Sequence, residues 1–185
     1  MAEIKQALID FNPWWIKDFR IEYKDRDIYK NIQKFIPLKQ ILAFVGLRRV
    51  GKTTLIYKII EDYINKRFEK RNILYFSFDD FKDVEIRNVL TEYENLNDKD
   101  LGNEQYLILF DEIQKLNNWE NQLKRIYDTW SNFKIIISGS ESLFLRKKSK
   151  ETLAGRIFEF KIDKLSFKEF LIFKEKNNLK PYGLY

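Results

Sequence analysis

Apolar residues along this chain gather in short blocks divided by charged stretches, and the spacing inside the blocks takes two forms. Ile41-Leu42-Ala43-Phe44-Val45, Asn72-Ile73-Leu74-Tyr75-Phe76-Ser77-Phe78, Tyr106-Leu107-Ile108-Leu109-Phe110 and Phe133-Lys134-Ile135-Ile136-Ile137 are compact runs rich in β-branched and aromatic side chains. Such runs are the pattern of strands buried on both faces. Ile157-Phe158-Glu159-Phe160-Lys161-Ile162 reads as a further strand. Between the strands the spacing lengthens. Leu55, Ile59 and Tyr63, with Ile56, Ile60 and Ile64, mark the wide apolar face of a helix lying on a sheet. Helical stretches are predicted over 81–94 and 117–130, with Asp79-Asp80 as the N-cap of the first. Ser166 and Glu169 form a capping box that opens a helix from Phe167 to Lys176. Strands alternating with helices predict an α/β fold, a mostly parallel sheet with helices on both faces.

Residues 1–39 form a lead-in containing Asn12-Pro13-Trp14-Trp15, followed by a charged, partly helical stretch up to Pro37. The tryptophan pair reads as core packing, with an aromatic flap near a bound base as the alternative. The expected organisation is this lead-in packing on a core over 40–165, then the start of a further helical region over 166–185.

Composition narrows the chemistry. The 185 residues suit one domain of ordinary size, and 44% hydrophobic with 34% charged residues excludes disorder. The apolar runs are far shorter than a bilayer span, and the N-terminus lacks a basic region followed by an apolar stretch, so the expected compartment is the cytoplasm, with no membrane. The chain has no Cys and no His. Disulfides, thiolate nucleophiles, Cys/His zinc sites and Ser-His-Asp schemes are thereby excluded. Acid–base work must fall to carboxylates, Lys, Tyr or metal-bound water. The net charge of +6 comes from positive and negative residues interleaved along most of the chain, which reads as a solvated surface. The run Arg146-Lys147-Lys148-Ser149-Lys150 departs from that pattern and keeps nucleic acid open as a partner.

Residues 46–53, Gly46-Leu47-Arg48-Arg49-Val50-Gly51-Lys52-Thr53, match G-x-x-x-x-G-K-T between a strand and a helix start. Glycines let successive N–H groups turn into one concavity, and the helix N-terminus adds unpaired N–H groups and the positive end of its dipole. Gly46, Arg49, Val50, Gly51, Lys52, Thr53 and Thr54 are the candidate nucleotide contacts. Lys52 is expected at the β- and γ-phosphates and the Thr53 hydroxyl on Mg²⁺. Asp111 ends a fully apolar strand at the carboxyl edge, where open α/β sheets bind ligands, and suits Mg²⁺ through its water shell. Glu112 is placed to orient and deprotonate an attacking water. Ser138 and Ser140 read either as γ-phosphate sensors or as turn residues around Gly139. Arg156, beside Gly155 and just before a strand, is a candidate for stabilising transition-state charge or an ordinary surface arginine. Arg48 and Arg49 face solvent or a neighbouring subunit.

The segments 46–55, Phe76-Ser77-Phe78-Asp79-Asp80, Leu109-Phe110-Asp111-Glu112-Ile113-Gln114, Ser138-Gly139-Ser140-Glu141-Ser142, Leu153-Ala154-Gly155-Arg156 and Leu165-Ser166-Phe167-Lys168-Glu169-Phe170 stand in that order. Over roughly residues 40–172 the set resembles archaeal and bacterial ATPases of the AAA superfamily that carry a Gly-x-Arg-Arg-x-Gly-Lys-Thr loop. The resemblance implies a three-layer P-loop NTPase fold with a five-stranded sheet in the order 5-1-4-3-2. It implies Lys52 and Thr53 on phosphate and Mg²⁺, Asp111 as the second metal partner and Glu112 as catalytic base. Ser138, where relatives often carry Thr, matches the polar sensor, and Arg156 the Gly-Arg position before the last strand. Family members continue into a helical lid and a C-terminal domain, so 166–185 is expected to begin a lid, the chain being either a piece of a longer protein or an unusually short member whose lid comes from elsewhere. The implied activity is Mg²⁺-dependent ATP hydrolysis. The alternatives are a nucleotide-gated switch with little turnover, acting on a protein partner or as a homo-oligomer, and a DNA-associated, loader-like ATPase. A small-molecule kinase fits less well, since no acceptor-binding segment stands out.

Overall fold

The computed structural model describes residues 2–140 and 151–175. The basic run 146–150 and Lys176, the expected end of the last helix, lie outside the described residues. In chain order the elements are α1 (Ala2–Phe11), α2 (Asp27–Phe35), β1 (Ile41–Val45), α3 (Lys52–Asn65), β2 (Ile73–Ser77), α4 (Ile86–Asn97), β3 (Tyr106–Asp111), α5 (Trp119–Thr129), β4 (Phe133–Gly139), β5 (Ile157–Lys161) and α6 (Phe167–Glu175). The strands form one five-stranded sheet in the order β2-β3-β4-β1-β5. Every neighbouring pair runs parallel. This is the expected α/β architecture and strand order.

Strand alternation sorts the core into two layers. Ile41, Ala43 and Val45 of β1 face α1, α4 and α5, together with Leu74, Phe76, Ile108, Phe110, Ile135 and Ile137. Leu42 and Phe44 face the other way, onto Leu55, Ile56, Ile59 and Ile60 of α3 and onto Tyr29 and Ile32 of α2. The four-residue apolar spacing of α3 is the stripe that covers this second layer. β1 and β3 are apolar at nearly every position because both of their faces are covered, whereas the edge strand β5 leaves Glu159 and Lys161 exposed.

The edge strand β2 is closed by the lead-in. Asn12 is fully buried, and its carboxamide donates to the Tyr75 carbonyl at 2.9 Å while accepting the Tyr75 N–H at 2.7 Å. One side chain thus supplies both hydrogen bonds that a neighbouring strand would provide, and an open edge is blunted. The indole N–H groups of Trp14 and Trp15 both donate to the Ile73 carbonyl, at 3.2 and 2.9 Å. Ile73 opens β2 at the amino edge of the sheet, so the pair is core packing and no flap over a base. On α3, Glu61 accepts the Ile21 N–H at 3.1 Å, and Asp62 accepts the Tyr29 hydroxyl at 2.7 Å, which ties the lead-in to the helix behind the sheet. Lys134 joins β4 to the α2–β1 link by donating to the carbonyls of Phe35, Leu38 and Gln40.

One expected element is displaced. Asp79-Asp80 caps no helix: α4 begins at Ile86, and the preceding Glu85 makes no side-chain cap. The first N–H of α4 is accepted instead by Gln122 Oε1 of α5, at 2.9 Å. A cap supplied from another helix frees the residues before it, and Asp79 turns toward the cavity described below.

Replacing Asn12 by Ala strands the Tyr75 N–H and carbonyl at a buried edge. The expected cost is about 2–6 kcal/mol, from roughly 1–3 kcal/mol for each unpaired buried group. Urea unfolding of wild type and variant, with unchanged dependence on denaturant, checks it; equal midpoints would show that water replaces the carboxamide.

Candidate active site

The loop after β1 is shaped by two glycines. The Gly46 N–H reaches Gly139 O at 3.3 Å, and a Cβ added at Gly46 would stand 2.3 Å from the Ile162 carbonyl oxygen. Only glycine lets β1 leave the sheet between these backbones. Arg49 (φ 63°) and Gly51 (φ 94°) then take the left-handed conformation and turn the chain into α3. The first helical hydrogen bond runs from Leu55 N to Gly51 O at 3.0 Å, so the N–H groups of Lys52, Thr53 and Thr54 lie ahead of it at the positive end of the helix. Lys52 is buried, and its ammonium donates to the carbonyls of Gly46 and Leu47 at 3.0 and 2.9 Å, crossing the concave side of the loop.

Asp111, at the end of β3, is 3% exposed and is the hub of the site. Its Oδ2 accepts the Thr53 hydroxyl at 2.7 Å and the Tyr75 hydroxyl at 3.0 Å. Its Oδ1 accepts the Glu112 N–H at 3.0 Å and the hydroxyl of fully buried Ser138. Side chains from α3, β2 and β4 therefore converge on one carboxylate. Burial, followed by the charge of Asp111, pushes the Tyr75 phenol well above its ordinary range and keeps it a donor. Ser138 lies inside β4, paired with Phe44, which places its hydroxyl on Asp111 and not in a turn around Gly139.

A cavity of about 550 Å³ opens over this cluster, lined by Lys52, Thr53, Tyr75, Asp79, Asp111 and Glu112 among others. Glu112 is held in the left-handed conformation (φ 52°), and its carboxylate accepts the Gln114 amide at 2.6 Å. Asp79, at the mouth, pairs with Lys115 at 3.3 Å. A second cavity of about 420 Å³, bordered by Tyr23, Val50, Leu55, Leu165 and Phe173, meets the first at Arg49, Gly51 and Thr54.

Arg26 is a residue that sequence reasoning missed. Its guanidinium donates to the Val50 carbonyl in the loop (3.0 Å), to the Asp163 carbonyl after β5 (2.9 Å) and to Glu169 of α6 (2.9 Å). The capping box is present, with Glu169 accepting the Ser166 N–H at 2.8 Å and Ser166 Oγ accepting the Glu169 N–H at 3.2 Å. In sequence Arg26 is one charge in a charged stretch. Tyr75 and Gln114 were equally hidden, the first as a strand aromatic and the second as the tail of the Asp-Glu segment.

Arg156 is the candidate that the fold does not bring to this cavity. Its carbonyl accepts the N–H of Ile41, the first residue of β1, at 2.8 Å. It therefore sits at the amino edge of the sheet, about 15 Å of strand away from the loop. Its guanidinium pairs with Asp128 at the end of α5, at 3.0 and 3.4 Å. That placement keeps the guanidinium out of the cavity of its own chain.

A phosphate-type loop, a carboxylate hub on the central strand and the sheet order together lead to comparison with known proteins. Residues 38–171 match the family model described as AAA domain. The chain belongs to this family. Its AAA core is 36% identical over 152 residues to the uncharacterized protein MJ1637 of Methanocaldococcus jannaschii, covering 80% of this chain and 31% of that protein. It is 37% identical over 174 residues to MJ1544 of the same organism, covering 91% of this chain and 36% of the relative. An uncharacterized protein of Haemophilus influenzae is 31% identical over 153 residues, covering 82% of this chain and 35% of its own. The chain thus spans about a third of the length of these relatives. Among solved structures, the Saccharomyces cerevisiae Hsp104–ADP complex superposes with a TM-score of 0.56 at 14% identity, over 93% of this chain and 26% of that one. A DNA polymerase III gamma subunit-related protein of Thermotoga maritima gives 0.54 at 10% identity, over 80% and 50%. The AAA core is a nucleotide-binding unit of the ATPase type. No helix among the described residues is long and apolar enough to cross a membrane.

The Glu169 tether has a pH signature. Burial pushes this carboxyl up, but hydrogen bonds from the Ser166 N–H, the Arg26 guanidinium and the Asp27 N–H outweigh it and hold the group below the usual carboxylate range. A depressed carboxylate contributes its stability in full above its ordinary value of 4.5 and loses it as pH falls through the lowered folded value. Glu169→Gln should therefore be less stable than wild type at pH 7, with the gap closing on acidification. Denaturant midpoints measured from pH 7 down to pH 3 check this, and a gap independent of pH would remove the ionic part of the tether.

Proposed function

We propose that this cavity binds ATP with Mg²⁺ and hydrolyses it to ADP and phosphate. The observation that carries the reading is the Thr53–Asp111 pair, 2.7 Å apart at the N-terminus of α3 beside the buried Lys52 ammonium. The donor set suits Mg²⁺. No group of three or more His, Cys, Asp or Glu that could hold a metal occurs among the described residues. A cation here would be held by one carboxylate, a hydroxyl and oxygens of the substrate, as Mg²⁺ prefers. Thr53 and Asp111 would hold it, and it would supply charge neutralisation between the β- and γ-phosphates.

The chain's own residues carry the remaining roles. Lys52 exchanges the Gly46 and Leu47 carbonyls for phosphate oxygens, and the N–H groups of Lys52, Thr53 and Thr54 face the same anion. Gly46, Arg49, Val50 and Gly51 set the curvature of the cradle. Glu112, kept in place by Gln114, orients the attacking water and takes its proton. Ser138 holds Asp111 in place, and through it would respond to what the carboxylate binds. The base and ribose fall in the second cavity, against Tyr23, Leu165 and Phe173. Arg156, far from its own cavity, acts on the site of a neighbouring copy in an oligomer.

Lys52→Ala should weaken ATP binding roughly tenfold or more, since a charge-assisted bond of about 1.5–3 kcal/mol is lost; unchanged affinity in a titration of the folded variant would refute the cradle. Glu112→Gln should keep that affinity and lose about 10²-fold in turnover. Wild-type protein that binds Mg²⁺–ATP and releases no phosphate would favour the switch reading.

If Arg156 serves a neighbour, turnover per molecule rises with protein concentration. Mixing Arg156→Ala with Lys52→Ala protein then restores part of the activity, because each copy supplies what the other lacks. Flat specific activity on dilution, with an inactive mixture, would leave Arg156 only its ion pair with Asp128.

A further inference from the structure

Tyr75 is buried at 4% exposure in the middle of β2, yet its hydroxyl lines the cavity. It shares one oxygen of Asp111 with Thr53, at 3.0 and 2.7 Å. The ring has little freedom to turn. Phe11 of α1 meets it edge-on with centroids 6.2 Å apart, and Tyr57 of α3 lies tilted against it at 5.3 Å. The backbone of the same residue is clamped on both sides by the Asn12 carboxamide. A phenol locked at ring and backbone is a fixed post, and the object it fixes is the Asp111 oxygen turned toward Thr53.

We propose that Tyr75 is a positioning residue that orients the Asp111 carboxylate for a divalent cation, with Asn12 of the lead-in setting its place; this rests on the Mg²⁺–ATP reading of the cavity. Ser138 and the Glu112 N–H restrain Oδ1, which leaves Oδ2 to be aimed by Thr53 and Tyr75. Once Thr53 turns its oxygen to a metal, Tyr75 is the remaining side-chain donor that keeps Oδ2 from swinging. Groups that orient a metal-holding side chain are commonly worth about 10–100-fold in metal affinity or activity.

The test is Tyr75→Phe, which keeps the ring and removes only the hydroxyl. Tyr63→Phe serves as control, losing a half-buried phenol on the same helix layer far from Asp111. A fluorescent ATP analogue is titrated first without metal, then at fixed concentration with Mg²⁺ and with Mn²⁺. In Tyr75→Phe, metal-free nucleotide affinity should match wild type, while the metal concentration for half-maximal effect rises about tenfold. Tyr63→Phe should follow wild type in both titrations. A Tyr75→Phe curve that overlays wild type in metal dependence overturns the proposal, as does an equal loss of affinity with and without metal, which would mark the hydroxyl as merely structural. Wild-type protein that binds the analogue with no response to either metal overturns the Mg²⁺ reading itself, and the proposal with it. Circular dichroism melts of all three proteins confirm that folded states are being compared.

Discussion

A carboxylate withdrawn from water needs a donor at each lone pair, and the demand of Asp111 organises the centre of this molecule. Its donors come from the helix after the loop, from the strand on either side and from its own next residue. Such a set can be assembled only if β3 lies between β2 and β4 and if α3 crosses above their carboxyl ends. Strand order is thus tied to the chemistry. Any other neighbour for β3 would leave charge unmatched against a layer built mainly of aliphatic and aromatic side chains.

The loop obeys a second constraint, the closeness of backbones. Gly46 passes the Ile162 carbonyl with no room for a side chain, and Ile162 in turn donates its N–H to Val45 O at 2.7 Å. The cradle is therefore anchored to the segment after β5 before any ligand is considered. Arg26 adds a side-chain anchor to the same segment and to α6, so the loop is held from both sides.

Much of this was legible in the sequence, for identifiable reasons. Strand runs covered on both faces are apolar throughout, and α3 needs a wide stripe, so both announce themselves within a short window. The loop, Asp111 and Ser138 were legible because glycine spacing and strand ends fix where backbone and side chains emerge. Tyr75 was not, since a buried aromatic in a strand has the same appearance whether or not its hydroxyl has work. Arg26 and Glu169 lie 143 residues apart, and nothing local to either names the other. The distance of Arg156 from the loop was not legible because adjacency to a strand was read without its direction: in an all-parallel sheet the start of β5 must lie at the edge opposite the loop. Asp79-Asp80 misled in the same way, since the donor they were expected to satisfy is met by Gln122 from another helix.

The lead-in carries part of the structure outside the stretch that the family model matches. The match to the family begins at residue 38, after Asn12 and Arg26. Those two side chains complete the edge of β2 and fasten the loop from outside the matched stretch. A fragment cut at the start of the match would keep each residue of the motif and still expose the flank of Tyr75 and the Val50 carbonyl. The shape of the site thus rests in part on side chains that carry none of the family's motif.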